Sequence, residues 1–562
     1  MKPLFSTAAS FASLVSSARI RWVLGRRFLG GLLLMAACIA GVAAQGCRGA
    51  NGVVTAHDEP ASPTLRIYIV SDLAGALEPC GCVKDQAGGM DHFAAWVTSE
   101  RTKAPSSVLV SAGPLFFLDP VLKDDKRIQD VAKASTIASA LGGLGLAGFA
   151  PGKNDFVAGA AELERFRTES KGALLMANVA GDGVQPSWRG PVLREMNGIK
   201  LGLLGVSALD QAEGGAPAGA NVSAPIDAVK ADVAKLRAQG AQVLLLLAAV
   251  GRGEAKRVAD AVPELTAIVV GSPGGSGEAN SETPPAERIG NVLIAETGNH
   301  LTTAAALDLF VREGSYAFAD GTGLELARKR ADVMRRIDEM RGKLAQWEGD
   351  KGIAQVDVDA RKADLAQLER ERADLEKIPT PPKGSFFRYR VQEMRDTLGK
   401  DEGVSEKMSA YYKQVNEANA KAFAGKKPPA ARAGQPSYVG VETCTTCHDD
   451  ARKVWDKTAH AHAYATLSKQ YKEFNLDCVS CHVTGYDLPG GSTVTHVQEL
   501  KDVQCEVCHG AGSKHAAAPN KVKMPIEKPK ADSCLACHHP PHVHEFDAAR
   551  KMEEILGPGH GK

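Results

Sequence analysis

Apolar residues follow two different rhythms along this chain. From about 64 to 312, short apolar runs alternate with Ala-rich stretches. LRIYIV (65–70), SVLV (107–110), ALLMANV (173–179), KLGLLGV (200–206), QVLLLLAAV (242–250), AIVV (267–270), NVLIA (291–295) and AALDLFV (305–311) read as strands. Most are apolar throughout, as strands covered on both faces are. Stretches 225–239 and 252–262 read as helices between them. The alternation predicts an α/β layered domain over 64–312. GGAPAGA (214–220) and GSPGGSGEANSETPP (271–285) read as loops.

A second rhythm begins at 324. Val333, Ile337, Met340, Leu344 and Trp347 step by four and three, which is a heptad seam. Gly349, Asp350 and Gly352 interrupt it, and Leu365, Leu368, Leu375 and Ile378 resume it. The pattern predicts a helical hairpin, a short coiled coil, over 324–378. Pro379, Pro381 and Pro382 end it. A further helical segment is expected over 386–422, then a linker at 423–437 and a separate tail at 438–562.

The N-terminus has its own pattern. Arg19, Arg21, Arg26 and Arg27 precede the apolar run FLGGLLLMAACIAGVAA. Positive residues followed by such a run read as a signal peptide, here 1–46, and so as export. Ala44-Gln45-Gly46-Cys47 resembles a lipoprotein box, which would put a lipid anchor on Cys47 and make 47–63 a tether. The expected location is the periplasm or cell envelope, at a membrane.

Composition adds exclusions. Lys plus Arg is 67 and Asp plus Glu is 66. That balance argues against a nucleic-acid partner. Hydrophobic residues at 44% and charged residues at 24% are ordinary globular values. They exclude wholesale disorder and a multi-span membrane protein.

The 12 cysteines and 15 histidines change the picture, because eight and twelve of them lie after residue 443. Four C-x-x-C-H motifs stand there: Cys444-Cys447-His448, Cys478-Cys481-His482, Cys505-Cys508-His509 and Cys534-Cys537-His538. Two thiols at this spacing reach the two vinyl groups of one haem, and the next His lies under the ring to ligate iron. Disulfides give no reason for a His after every second Cys, and zinc needs no such adjacency. The tail is therefore expected to carry four haem c groups, each with its iron. Eight further histidines remain: His460, His462, His496, His515, His539, His542, His544 and His560. That surplus favours ligation by two histidines per iron, which suits electron transfer.

YVGVETCTTCHDDARKVWDKTAHAHAYATL, CVSCHVTGYDLPGG, VQCEVCHGAGSKH and CLACHHPPHVHEFD resemble the tetrahaem cytochrome c-552/4 family across 438–562. The resemblance implies a small, mostly helical or irregular tetrahaem domain. It implies His460, of the W-x-x-T-x-H segment, and His515, of C-H-G-x-G-S-x-H, as distal ligands. His462 is an alternative to His460. The others come from His496, His542, His544 and His560. In some relatives one iron lacks a distal ligand.

SDLAGALEPCGC…GGM (71–90) and the runs after it resemble the calcineurin-like metallophosphoesterase and 5′-nucleotidase family. That family holds two metals with D-x-H, G-D, G-N-H-[DE] and G-H-x-H. Here those positions read Asp72-Leu73-Ala74, Gly113-Pro114, Gly152-Lys153-Asn154-Asp155 and Gly271-Ser272-Pro273-Gly274. Losing the ligands removes a two-metal mechanism. The domain is expected to dock or scaffold, with no catalytic residues. His92 and His300 read as ordinary loop or surface histidines, and Cys80-Gly81-Cys82 as a structural thiol pair or a redox or metal site.

The leading expectation is an exported electron carrier with redox partner proteins, rather than an enzyme. The alternatives are a multihaem oxidoreductase acting on a small nitrogen or sulfur compound, and a phosphoesterase–cytochrome fusion.

Overall fold

The computed structural model describes residues 62–79, 85–209, 216–217, 219–275, 277, 279–348, 352–378, 380–539, 542–543 and 546–560. The expected signal peptide, Cys38, Cys47, the Cys80–Cys82 pair and His544 lie outside the described residues.

The N-terminal part runs β1 (Leu65–Ser71), α1 (Met90–Arg101), β2 (Ser107–Gly113), α2 (Arg127–Gly143), β3 (Leu146–Pro151), α3 (Ala160–Ser170) and β4 (Ala173–Leu174). It continues through β5 (Val179–Gly181), β6 (Val192–Met196), β7 (Ile199–Ser207), β8 (Ala220–Val222), α4 (Pro225–Ala238), β9 (Val243–Ala249), α5 (Arg252–Ala261) and β10 (Ala267–Gly271). Then come β11 (Glu287–Ile289), β12 (Val292–Ala295), β13 (Thr303–Phe310), β14 (Ala319–Asp320), α6 (Leu324–Glu348), α7 (Gln355–Asp374), β15 (Phe386–Glu393) and α8 (Glu402–Ala422).

Two sheets face each other. One has the order β14-β15-β13-β1-β2-β3-β4, the other β11-β12-β10-β9-β7-β6. Leu65, Ile67 and Ile69 of β1 point between the sheets, where they meet residues of β7, β9 and β10. Tyr68 and Val70 alternate to the opposite face and meet α1 and α2. On the far side, α4 and α5 cover the second sheet. β1, β9, β10 and β13 are buried along their whole length, which explains why their runs carry so few polar positions.

Three elements depart from expectation. The strand expected over 173–179 shrinks to Ala173–Leu174. Beyond Leu175 the backbone bonds leave β3, Met176 N going to Trp188 O and Ala177 N to Gly205 O, and the Asn178 side chain exchanges hydrogen bonds with Ser207 N and O. LAGFAP, broken in its apolar run by Gly148 and Pro151, is a strand between β2 and β4. The third departure is the segment 386–422, expected helical, which opens as β15 and pairs antiparallel with β13 along its whole length. Arg390 on β15 joins Arg66, Glu100 and Asp308 in one buried ion cluster. The α/β domain therefore does not close at 312. It recruits β15 from beyond the hairpin, and Met408, Tyr411 and Val415 of α8 into its core.

α6 and α7 pack against each other through Val333, Ile337 and Leu368. No helix among the described residues is long and apolar enough to cross a membrane. The tail has short helices only: α9 (Val441–Thr445), α10 (Asp449–Trp455), α11 (Ala463–Ser468), α12 (Cys505–His509), α13 (Ser513–Ala517) and α14 (Ala548–Ile555). Its apolar cluster is Tyr464, Val479, Val483, Val494 and Val497. So small a cluster cannot organise the whole tail by itself.

Candidate haem centre

Each motif lies on a single helical turn. Cys505–His509 is α12, and Val479–Cys481 is a 3₁₀ turn. His448 N bonds to Cys444 O at 3.0 Å, and His538 N to Cys534 O at 2.9 Å. A helical turn sets the two cysteines of C-x-x-C on one side of the backbone. The motifs also associate in pairs. The Cys444 and Cys505 thiols neighbour each other, and their interaction lifts the first and lowers the second. Cys537 and Cys481 do the same, with Cys537 lifted and Cys481 lowered. Buried Glu506 ties the first and third motifs together, accepting from Val439 N, Gly440 N and Gly512 N. Gln504 adds a bond from Val441 N at 2.7 Å.

Three motif histidines face histidines from outside the motifs. His448 and His515 have ring centroids 6.3 Å apart at 30°. His509 and His560 are 6.4 Å apart at 26°. His538 and His460 are 6.2 Å apart at 44°. Two metal–imidazole bonds of about 2 Å, with half a ring at each end, span about 6 Å. The spacing fits one iron between each pair.

Tautomers agree where the structure shows them. His515 Nδ1 lies 2.6 Å from Val522 O, and His509 Nδ1 lies 2.8 Å from Ile526 O. His482 Nδ1 lies 2.6 Å from Ala463 O. A carbonyl at Nδ1 fixes the proton there and leaves the Nε2 lone pair for a metal.

His482 has no histidine ring set against it among the described residues. His462 shares a 3₁₀ turn with His460 but lies near Asp502. His496 Nδ1 meets Thr495 Oγ1 at 3.2 Å. His542 sets its ring edge-on to His539 at 5.6 Å. Spacing alone did not show these pairings, nor the roles of Glu506 and Gln504.

A second polar cluster gathers at the ends of β1, β2 and β10. Asp72 Oδ1 accepts from Ser272 N at 2.8 Å and Ser272 Oγ at 3.1 Å. A Cβ on Gly113 would stand 1.8 Å from that oxygen, so glycine is required there. Asp155 accepts from Leu115 N, Phe116 N and Gly152 N. Asn154 Nδ2 donates to Leu118 O and Gly275 O, while its Oδ1 is buried without a hydrogen bond. Burial pushes Asp72 up to about 7, despite its bonds from Ser272. Burial likewise pushes Asp155 up to about 7. His92 and His300, expected in loops or on the surface, are buried. His92 lies within α1 with Nδ1 2.6 Å from Gly399 O, and His300 Nδ1 meets Asn280 Oδ1. No group of three or more His, Cys, Asp or Glu among the described residues is set to hold a free metal ion.

Comparison with known proteins decides which part of this chemistry has relatives. Residues 443–510 match the family described as Cytochrome c554 and c-prime. Within the tail, residues 443–510 form a cytochrome c554-type region. Its matched stretch holds the first three motifs, and the fourth follows it. Cytochrome c-554 of Nitrosomonas europaea is 29% identical over 140 residues, which cover 19% of this chain and 59% of that protein. The chain thus spans about three-fifths of that curated relative. Among solved structures, a 5′-nucleotidase precursor from Thermus thermophilus aligns at 13% identity and TM-score 0.42, covering 67% of this chain and 62% of that one. The calcineurin-like phosphoesterase YfkN from Bacillus subtilis aligns at 16% and 0.38, covering 45% and 86%. Beside the cytochrome c554-type region, then, stands an α/β domain whose buried carboxylates, Asp72 and Asp155, are held by Ser272 and backbone N–H groups.

Proposed function

We propose that this chain is an exported multihaem c-type cytochrome that carries electrons through four covalently attached haems. The observation that carries the reading is the set of three facing histidine pairs, each joining a motif histidine to one outside the motifs. Cys444 and Cys447, Cys478 and Cys481, Cys505 and Cys508, and Cys534 and Cys537 would hold the four groups. His448, His482, His509 and His538 would be proximal ligands, with His515, His560 and His460 opposite the first, third and fourth. Each haem, once bound, supplies a one-electron couple. The carbonyls at Nδ1 of His509 and His515 orient the rings and raise their basicity, which steadies the oxidised ion. Paired histidines also exclude small ligands from the iron. The envelope location, a Cys47 lipid anchor and protein redox partners belong to the same reading.

In this reading the α/β domain is a scaffold without a metal site. The carboxylates of Asp72 and Asp155 are taken up by Ser272 and by backbone N–H groups.

Pyridine haemochrome assay together with low-temperature EPR tests the proposal. Four haems per chain, mostly low-spin, are expected. A chain that takes up no covalent haem would overturn it. One observation favours a second reading. The described residues set no ring against His482, which suits an oxidoreductase with one open iron acting on a small nitrogen or sulfur compound. Binding of cyanide or nitric oxide to one haem of the native protein would support it.

A further inference from the structure

The α/β domain grips the cytochrome c554-type region at one motif in particular. The segment Tyr471–Asp477 runs straight into Cys478, and α2 and α8 hold it. Asp477, half-buried, bonds to Lys126 Nζ at 2.5 Å, Lys133 Nζ at 3.2 Å and Gln129 Nε2 at 2.9 Å. Gln129 Oε1 accepts from Leu476 N at 2.9 Å. Lys472, just upstream, pairs with Glu78 at 2.5 Å and lies over the Tyr412 ring. Asp130 stands 3.9 Å from Lys133, so two cations and two carboxylates nearly balance.

We infer that the Lys126–Asp477–Lys133 bridge lets the α/β domain set the reduction potential of a single haem, the one on Cys478, Cys481 and His482. Fixed charge beside a redox centre shifts its potential, because the oxidised and reduced ions differ by one unit. Asp477 is the residue next to Cys478, and its counter-charges come from another part of the fold. The potential of this haem then depends on whether the domain is docked. By linkage, the oxidation state of this haem biases docking in return. The bridge acts through position and charge and touches no substrate. The inference rests on the haem assignment above.

A potentiometric titration of the full-length haem-loaded protein tests it. Haem content is measured first, so that a chain without four haems indicts the assignment and not the bridge. Lys133→Gln and Lys126→Gln remove positive charge, and should lower the potential of one component in four. Asp477→Asn leaves two lysines without their carboxylate, and should raise that same component. Lys126→Arg should restore the native value. Shifts of opposite sign in one component support the inference, since mere loosening would move all variants the same way. Unchanged potentials, same-sign shifts, or an equal shift of all four components would overturn it. Should Asp477→Asn fail to fold, the Lys126→Gln and Lys126→Arg pair decides the matter alone.

Discussion

His448 and His515 face each other across 6.3 Å, although one ends the first motif and the other follows the third. That separation is held from both sides. Glu506 and Gln504 fasten the segment Val439–Val441 before Cys444 to the start of α12, and Val522 O holds His515. His515→Ala should leave one iron of four open. The check is optical and EPR spectra, where one haem should turn high-spin and bind cyanide. Four unchanged low-spin haems would sink the pairing.

His460 and His462 make a sharper test, being two residues apart on one turn. His460→Ala should open the haem of Cys534 and Cys537. His462→Ala should leave every spin state as it was. The reverse result, read by the same spectra, would reassign the ligand.

Asp155 gathers three backbone N–H groups in the core of the α/β domain. Asp155→Ala leaves them buried without acceptors. Denaturant unfolding should show a loss of about 2–5 kcal/mol. A loss under about 0.5 kcal/mol, the range of surface changes, would show that the loops close without it.

Stability should depend on pH through Asp72. Burial pushes its folded pKa up to about 7, above its ordinary unfolded value of about 3.9. Between these values the folded chain binds the extra proton, so stability falls as pH rises from about 4 to 7 and levels beyond, and Asp155, also pushed up to about 7, adds a fall of the same sign. Asp72→Asn should make that part of the melting-temperature profile shallower, leaving the share of Asp155. A native profile that rises over this range would contradict the assignment.

The α/β domain should also hydrolyse no nucleotide or bis-aryl phosphate when divalent metal is added. Metal-dependent turnover that disappears in Asp72→Ala would restore the fusion reading.

Much of this was legible in the chain. The C-x-x-C-H motifs are contiguous, so their local chemistry is written in five residues and needs no fold to be read. The buried strands announced themselves by apolar runs, because both faces are covered. The hairpin showed its seam at Val333 and Ile337. The start of the 386–422 segment was misread, since FFRYRVQE becomes a strand only by pairing with Thr303–Phe310. Burial of His92 and His300 likewise depends on neighbours far along the chain.

The sequence by itself determined that four C-x-x-C-H motifs stand in the tail and that Asp72-Leu73-Ala74 and Gly271-Ser272-Pro273-Gly274 carry no histidine. Both are matters of residue type at fixed local spacing. Only the tertiary structure decided which histidine faces which, that β15 and α8 belong to the α/β domain, and that Lys126 and Lys133 reach Asp477. Those pairings join residues tens to hundreds of positions apart. The path of the folded backbone selects them, and no local pattern encodes that path.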